Sequence, residues 1–570
     1  MLPRNPELAA QFELLADLME VEGDDGFRIA AYRRAAAQIR ETPTSVARLA
    51  LAGRAKELQG IGKTIEEKIV EVVHDGEIHA LTKRKTSVPV EVAAFIHLPG
   101  LGPKTARRIW KELGIVTVAD LRAAAEAQQL RGLAGLGAKS EEKILSGLRR
   151  AVSTRDPSDD RVLLGNALPR LHAAVAALAA NPAAVKVSIA GSARRARETV
   201  RDLDIIATAS EPAALLAAFC SQPWVVEIAA HGPTKATVLS QEGFRFDLRV
   251  VPPESYGNLL QHFTGSKAHN VALREAAVRK GLSVSEYGIT VTETGIVHAF
   301  ETEAEVYAFL GYDWIAPELR EDLGELDAAR RGDLPKLVEP GDLRGDLHTH
   351  TTWSDGRDTL EAMVARAVEK GYAYYAVCDH SQRLRDGRME AQAEEIDALN
   401  ERVPLRILKG VEANIRSTGA LDVPDEQLET RDWVVASLHH GFDTNPTERL
   451  LAAMENPYVD CVGHPTGRRI GNRAPAEIDI ERVIEKALET GTFLELNSQP
   501  DRLDLSDVHA RAAREAGRRL VIDSDAHRIS ALDYVELGIG QARRAWLTKE
   551  DVVNTRTWNR VERLRKRHRR

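Results

Sequence analysis

The 570 residues of the chain are several times the roughly 100–200 of a typical domain, so three or more folded units are expected. The content of 43% hydrophobic and 28% charged residues is typical of a soluble globular protein, and no apolar run approaches the roughly 18 residues of a membrane span. The net charge of −8 gives no bulk support for nucleic-acid binding, so that function depends on local motifs. Three widely spaced cysteines argue against a disulfide framework or zinc finger, and with no secretory signal a cytoplasmic location is expected.

Three segments in the first 150 residues share one pattern, in which an apolar residue between glycines precedes a helical run. Glycines permit the positive φ of a tight turn, which directs backbone N–H groups and a helix N-terminus at an anion such as a DNA phosphate. One copy is explained equally well by an ordinary helix stop and start, but three copies favour DNA binding. Each segment resembles a helix-hairpin-helix motif, and the predicted DNA-binding residues are Gly60, Gly62, Gly100, Gly102, Lys104, Gly135 and Gly137.

A basic stretch at residues 27–34 precedes the first hairpin, and Lys68 follows it on a predicted helix. This arrangement resembles the N-terminal domain of X-family DNA polymerases. The resemblance implies a 5′-deoxyribose-phosphate lyase in which Lys68 forms a Schiff base close to Tyr32. Thr64 and Arg28 stand where the family has phosphate-binding lysines, and a solvated helix lysine is the alternative interpretation of Lys68.

Residues 185–190 alternate as a half-buried strand should, and they lead into Gly191-Ser192 and the basic pair Arg194-Arg195. This is the pattern of a strand, a turn and a helix start. A glycine-rich helix start can bind a triphosphate, so we expect Gly191 to form the turn, with Ser192 and Arg195 contacting the phosphates.

Three aspartates follow in two predicted strands. The period of two places Asp202 and Asp204 on one face of the first strand, and Asp247 lies in a second alternating strand. Adjacent carboxylates repel unless a divalent cation neutralises them, and oxygen ligands of this kind select Mg²⁺ or Mn²⁺. Three such carboxylates can hold two metal ions that activate a 3′-hydroxyl and stabilise the leaving pyrophosphate. We therefore predict that these aspartates are catalytic.

The glycine–serine pair followed by two aspartates resembles the nucleotidyltransferase superfamily, and the sequence HFTGSKAHN at residues 262–270 narrows the resemblance to X-family DNA polymerases. The resemblance implies that Phe263 and Gly265 contact the incoming sugar and that Asn270 contacts its base. It places Arg274 on the template side of the nascent pair. His262 stands where relatives have a tyrosine.

Beyond residue 342, short apolar runs alternate with helical runs, which predicts a parallel sheet or barrel. Histidines and acids close the apolar runs, at the face where β/α barrels build active sites. One such histidine is more often a hydrogen-bonded core residue, but six sites in order favour a cluster of Mn²⁺, Zn²⁺ or Fe²⁺. The set resembles the polymerase and histidinol phosphatase (PHP) domain, a trinuclear metallophosphoesterase. The resemblance implies nine metal ligands: His348, His350, Asp355, His380, Glu412, His439, His464, Asp525 and His527.

The expected fold is multidomain, α and α/β, with helical helix-hairpin-helix domains, a nucleotidyltransferase palm with a thumb, and a C-terminal PHP β/α barrel. The predicted boundaries are a lyase-like domain at 1–83, a fingers-like DNA-binding domain at 84–155, the palm at 156–253, the thumb at 254–318, a linker at 319–341 and the PHP domain at 342–570. Two further predictions concern basic residues. Arg468, Arg469 and the tail at 560–570 are DNA contacts, or else an exposed pair and a frayed end.

The resemblance covers almost the whole chain and implies a DNA-directed DNA polymerase that fills short gaps in base excision repair. The PHP domain implies a metal-dependent 3′–5′ exonuclease, 3′-end-processing phosphoesterase or AP endonuclease. Expected partners are gapped or primed DNA, dNTPs and other repair proteins, and the chain is expected to be a nucleoid-associated monomer without membrane contact. The alternatives are fusion to a small-molecule phosphatase, such as one for histidinol phosphate, or a non-catalytic DNA-binding scaffold.

Overall fold

The computed structural model describes the chain except residues 1, 43, 59, 99–100, 134–135, 138–139, 143, 146–147, 149–160 and 569–570. It contains two compact units, residues 1–160 and 161–570. No helix in these described stretches combines the length and hydropathy that a membrane crossing requires.

The first unit is helical. One hydrophobic core, which includes Phe12, Tyr32, Phe95 and Ile109, runs through it. Its α-helices are Asn5–Glu22, Gly26–Glu41, Val46–Leu51, Lys63–Asp75, His79–Lys85, Pro103–Leu113 and Val118–Glu126. The helical runs predicted after the first two glycine hairpins are thus confirmed.

The second unit begins with the segment that we call the palm, which consists of seven strands and their helices. The strands are β1 (Val162–Leu163), β2 (Ala184–Ile189), β3 (Thr199–Val200), β4 (Asp202–Ala209), β5 (Val225–His231), β6 (Lys235–Ser240) and β7 (Arg245–Val251). Five of them form one sheet in the order β2-β4-β7-β6-β5, and β1 and β3 form a separate pair. Its helices are Leu164–Ala179, Gly191–Arg194 and Pro212–Cys220. β4 and β7 are parallel neighbours in the centre of the sheet, so their side chains meet on the same face.

A helical segment with a small antiparallel sheet follows the palm. Its elements are helices Tyr256–Thr264, Lys267–Val278, Glu303–Leu310 and Glu325–Arg331, and strands β8 (Leu282–Ser285), β9 (Gly288–Val291) and β10 (Val297–His298). The segment predicted as a linker contains the last of these helices and buries Arg320 and Glu325 completely. Residues 319–341 are therefore a folded segment that packs within the second unit.

The rest of the second unit is a seven-stranded parallel sheet, here called the barrel with its helices. The strands are β11 (Gly345–Asp346), β12 (Tyr374–Val377), β13 (Arg406–Asn414), β14 (Trp433–Ser437), β15 (Cys461–Gly463), β16 (Phe493–Asn497) and β17 (Leu520–Asp523), paired in chain order. A parallel bridge between Thr349 and Ala526 joins the ends of β11 and β17 and nearly closes the sheet. The predicted β/α barrel is confirmed.

Eight α-helices surround these strands. They are Leu360–Glu369, Arg388–Asn400, Asp425–Glu429, Pro446–Glu455, Ile480–Thr490, Asp507–Glu515, Val535–Arg544 and Trp558–Leu564. Because helices cover the parallel sheet, its strands are apolar on both faces, as in Trp433–Ser437, where every residue is buried.

The basic tail folds back onto the barrel. Arg565, whose side chain is 3% exposed, donates to both carboxylate oxygens of the fully buried Asp460 at 2.9 and 3.1 Å. The Lys566 ammonium donates to the Met454 carbonyl at 2.9 Å and to Thr492 at 3.0 Å. For these tail residues the prediction of a frayed or DNA-contacting end is wrong, because Arg565 neutralises a buried carboxylate and Lys566 is bonded within the barrel.

We predict that Arg565→Ala destabilises the barrel by about 3 kcal/mol, since it leaves Asp460 buried without its cation. Urea unfolding measures this change. The exposed neighbour Arg563 is the matched control, and Arg563→Ala should change stability by about 0.5 kcal/mol or less. Equal losses in the two variants would contradict a structural role for the ion pair.

Candidate active sites

The palm triad forms at the start of β4 and β7. The strand register sets Asp204 opposite Asp247, and Asp202 lies two residues earlier on the same face of β4. The Arg245 guanidinium joins the outer members, with Nε 3.1 Å from Asp247 and 3.5 Å from Asp202. Burial, then Asp247 and Asp202, raises the pKa of Asp204 to about 7. The structure therefore brings the three predicted carboxylates together, and the Arg245 guanidinium offsets only part of their mutual repulsion.

Residues 191–198, which we call the palm turn, pack directly on this triad. Gly191 begins helix Gly191–Arg194 with φ of +64°, and a Cβ there would lie 2.0 Å from Asp204 Oδ2. Only glycine fits this position. The half-buried Ser192 follows it, where the sequence predicts a phosphate contact.

Arg195, the second predicted phosphate contact, has protein partners here. Its Nε donates to Glu321 at 3.0 Å, and its Nη1 donates to the Thr264 carbonyl at 2.8 Å. The palm turn is thereby tied to the end of helix Tyr256–Thr264.

Phe263 lies near the palm sheet at the end of that helix. Its ring is 5.1 Å from the His262 ring and 4.3 Å from the Arg249 guanidinium carbon, which lies over its face. Burial, then Arg274, lowers the pKa of His262. A neutral imidazole thus stands beside the predicted sugar-binding phenylalanine.

The other predicted nucleotide contacts lie around Gly265, where helix Tyr256–Thr264 ends. Asn270 donates to the carbonyls of His262 at 2.8 Å and Gly265 at 3.2 Å. A Cβ on Gly265 would lie 2.7 Å from the Asn270 side-chain oxygen, so the glycine permits this packing. Arg274 lies 3.1 Å from His262 Nδ1. Their roles toward a nucleotide stay predictions.

The nine predicted ligands of the barrel all lie at the carboxyl ends of its strands. His348, His350 and Asp355 follow β11, His380 follows β12, Glu412 lies within β13, His439 follows β14, His464 follows β15, and Asp525 and His527 follow β17.

Glu412 is at the centre of one half of the cluster. Its Oε1 lies 3.1 Å from His464 Nε2 and 3.2 Å from His439 Nε2. Its Oε2 lies 2.8 Å from His380 Nδ1 and 3.6 Å from His348 Nε2. With His350 Nε2 at 3.7 Å from Oε2, one buried carboxylate thus meets five imidazoles.

Two aspartates organise the other half. Asp525 Oδ1 lies 3.1 Å from His350 Nε2. Asp355 Oδ1 lies 3.4 Å from the Nε2 atoms of both His380 and His527. The structure therefore gathers all nine residues into one continuous cluster.

The cluster fits divalent metal ions. Three groups in the described residues offer converging ligand atoms: His350, Asp355, His380 and His527; His348, His350 and Asp525; and His380, Glu412 and His439. His348 Nε2 and both ring nitrogens of His350 are buried and find no hydrogen-bond partner in the described part of the chain. Orphaned buried groups are costly, and coordination satisfies them.

Two imidazoles of the cluster have lowered pKa values, whereas at His348, His380 and His527 neighbouring carboxylates outweigh burial and raise the pKa. Burial, then His527 and His380, lowers the pKa of His350 to about 3, and burial with Arg502 lowers that of His464 to about 4. These imidazoles are neutral near pH 7, the form that coordinates a metal.

Sequence reasoning missed two residues behind the ligands. His348 Nδ1 donates to Glu495 Oε1 at 2.6 Å, and the other Glu495 oxygen accepts the His464 backbone N–H. His439 Nδ1 bonds to Asn414. Such partners fix the orientation of metal-binding imidazoles. Both lie near strand ends, Asn414 two residues after Glu412, so the period of two provides a signal for that residue.

Arg468, predicted to contact DNA, binds within the protein. It donates to Glu198 of the palm turn at 2.8 Å and to the Arg502 carbonyl at 2.7 Å. With 13% of the side chain exposed, the predicted DNA role of Arg468 is wrong. Arg469 pairs with Asp501.

In the first unit, two predicted hairpins begin helices. Gly60 has φ of +76°, and Gly62 and Gly102 precede helices Lys63–Asp75 and Pro103–Leu113 without a side-chain cap. Their first N–H groups therefore remain able to bind an anion. Lys104 is exposed beside the second hairpin.

The third hairpin is described only in part. Gly137 is exposed, and its carbonyl accepts from the N–H groups of Ser140 and Glu141, whereas Gly100 and Gly135 lie outside the described residues.

The predicted lyase residues lie on helices Gly26–Glu41 and Lys63–Asp75. Lys68 is half-buried on helix Lys63–Asp75, and Tyr32 is buried with its ring 6.1 Å from that of Phe12. The cation Arg33 is bound by Asp17 and Glu20. The Schiff-base role of Lys68 stays a prediction.

The fold and the two clusters define a class: an enzyme that joins a carboxylate-triad nucleotidyltransferase sheet to a metal-dependent, histidine-rich β/α barrel. Family models match four parts of the chain: a helix-hairpin-helix domain at residues 3–78, a SAM-like helix-hairpin-helix tandem at 92–150, the DNA polymerase beta thumb at 259–321 and the PHP domain at 346–499.

Among curated proteins, the chain is 40% identical over 568 residues to the DNA polymerase/3′-5′ exonuclease PolX of Bacillus subtilis, covering 98% of each. Probable phosphatases of Caldanaerobacter subterraneus and Acetivibrio thermocellus are 33% and 31% identical, covering 37% and 36% of this chain and 86% of each relative. The chain belongs to the PolX family of bacterial X-family DNA polymerases, which carry a C-terminal PHP domain. Divalent metal dependence follows from both parts.

We predict that Glu412→Gln weakens divalent metal binding by the barrel by at least about tenfold, since changing even an outer-shell partner costs about 10–100-fold. Glutamine keeps the shape of the side chain and removes the charge that five histidines surround. Metal content after dialysis, measured by elemental analysis, reports the loss. His172→Ala, at an exposed histidine of the palm, is the control and should keep its metal. Unchanged metal content in Glu412→Gln would contradict the assignment.

Proposed function

We propose that the protein is a template-directed DNA polymerase that fills short gaps during repair, and that its barrel is a 3′–5′ exonuclease and 3′-end-processing phosphoesterase. The observation that carries the proposal is the presence of two complete clusters in one chain whose PolX relative matches it over 98% of its length. A small-molecule phosphatase is not favoured, because the phosphatase relatives account for little more than a third of the chain.

In the palm, Asp202, Asp204 and Asp247 would hold Mg²⁺ or Mn²⁺. Such ions neutralise phosphate charge and favour deprotonation of the attacking hydroxyl. The palm turn contributes backbone N–H groups and Ser192 for the triphosphate. Phe263, whose ring is tilted against that of His262 and has the Arg249 guanidinium over its face, provides an apolar surface for the sugar.

In the barrel, the nine clustered residues would hold Mn²⁺, Zn²⁺ or Fe²⁺. These ions supply Lewis acidity to a phosphodiester and lower the pKa of water. The chain itself fixes the imidazoles: Glu495 holds His348 and the backbone at His464, and Asn414 holds His439. The substrate class is the 3′ end of DNA, because the same chain carries DNA-binding hairpins and a polymerase thumb.

The helix-hairpin-helix turns bind DNA phosphates without reading sequence. Gapped or primed DNA and dNTPs are therefore the proposed substrates. We place the domain limits at residues 83, 155, 253, 318 and 341.

Two substitutions should separate the activities. Asp204→Asn removes a triad charge with little change in shape, and it should reduce nucleotide addition at least about 100-fold while leaving Mn²⁺-dependent exonuclease activity within about twofold. His348→Ala should have the reverse effect. Primer extension and 3′-end shortening on one labelled duplex measure both.

Each variant is the control for the other, since both change a buried polar residue of the second unit. Loss of both activities in either variant, with the protein still folded, would contradict two separate sites.

A further inference from the structure

The barrel holds the palm turn through side chains of one helix. On helix Val535–Arg544, Gln541 Nε2 donates to the Ala196 carbonyl at 2.7 Å, and Arg544 Nη1 donates to the Arg195 carbonyl at 3.0 Å. Glu198, at the end of the turn, accepts from Arg468 of the barrel. Three residues of a four-residue stretch are therefore bound by barrel side chains.

Arg544 is the centre of this contact. Its side chain is 2% exposed, and besides the turn it donates at 2.8 Å to Glu321 and at 2.8 Å to Asp507. Glu321 also binds Arg195, the predicted phosphate contact, at 3.0 Å. Burial lowers the pKa of Arg544, but the carboxylates of Asp507 and Glu321 outweigh this effect, so the pKa is raised. The guanidinium thus stays charged where it meets the turn.

The fit between helix and turn is close. Ala196 has φ of +52°, and a Cβ added to Gly540 would lie 2.8 Å from the Ala196 Cβ. Leu537 of the same helix belongs to the hydrophobic core of the palm, and a Cβ on Gly165 would lie 2.9 Å from it. Packing of this density transmits displacements.

On its opposite side the turn touches the triad, because Gly191 lies against Asp204. The turn is therefore held between the carboxylates and the barrel, and a shift on the barrel side changes the position of its N–H groups.

We propose that Arg544, with Gln541, is a positioning residue for nucleotide addition, through which the barrel fixes the turn that receives the triphosphate of the incoming dNTP. The inference rests on the proposed polymerase function. A misplaced binding turn weakens nucleotide binding, so the effect falls on the KM for dNTP and spares kcat.

The competing explanation is that Arg544 only stabilises the contact between palm and barrel. The neighbouring residue, Arg543, distinguishes the two explanations. Arg543 Nε donates to Glu318 at 2.7 Å and its Nη1 to the Val338 carbonyl at 3.1 Å, with no bond to the palm turn among the described residues. Arg543→Ala therefore removes a comparable ion pair of the same helix and leaves the turn untouched.

The experiment titrates dNTP with the full-length protein on gapped DNA. Arg544→Ala should raise the KM for dNTP about tenfold, the size expected for one lost charge-assisted hydrogen bond, with kcat within about threefold. Gln541→Met, which keeps the volume and removes the donor, should raise KM about threefold. Arg543→Ala should stay within about twofold. Exonuclease activity without dNTPs should be unchanged in all three, which shows that the barrel is intact.

An unchanged KM in a folded Arg544→Ala protein, or an equal rise in Arg543→Ala, overturns the inference while wild-type extension upholds the proposed function. If Arg544→Ala loses exonuclease activity and cooperative unfolding, Gln541→Met decides, and an unchanged KM there overturns the inference. A wild-type protein that adds no nucleotide overturns the proposed function and the inference together.

Discussion

Mutual repulsion between clustered carboxylates is the constraint on which the palm depends. Asp204 lies opposite Asp247 and on the same face as Asp202, and burial with these two neighbours raises its pKa to about 7. The sheet places the acids there through its central parallel pair, at a cost that Arg245 offsets in part and that a bound divalent cation would offset further. Gly191 shows how tightly the arrangement is built, because no side chain fits between the turn and Asp204. A divalent metal ion held by the triad would therefore make this packing tolerable.

The barrel also gathers buried polar groups that a metal ion would satisfy, but its ligand atoms are histidine nitrogens as well as carboxylate oxygens. Its cluster mixes imidazoles with carboxylates, and His348 Nε2 and both ring nitrogens of His350 have no hydrogen-bond partner in the described residues. Glu412 is shared by five histidines from four neighbouring strand ends. Asp525, after β17, lies 3.1 Å from His350, after β11, so the whole cluster forms only when the sheet is nearly closed, as the Thr349–Ala526 bridge shows it to be.

Local periodicity was enough to predict the ligand residues. The strand register and the partners of the basic residues depend on long-range packing. The period of two was enough for Asp202 and Asp204, and the strand-end rule was enough for His464. No local pattern gives the register that brings Asp247 to Asp204, since it depends on a strand about forty residues away. The same holds for Arg468 and Arg565, whose charges suggested DNA contacts but whose partners, Glu198 and Asp460, are distant in sequence. Basic residues near a DNA-binding site are thus poor predictors of contact until their burial is known.

Two metal-dependent sites are tested most directly by incubating the unaltered protein with gapped DNA labelled at the 5′ end of the primer, in Mg²⁺ and in Mn²⁺, with and without dNTPs. We expect elongation to the end of the gap when dNTPs are present, shortening from the 3′ end when they are absent, and neither reaction after chelation of the metal. Elongation without any shortening in either metal, or a reaction that survives chelation, would contradict two metal-dependent sites.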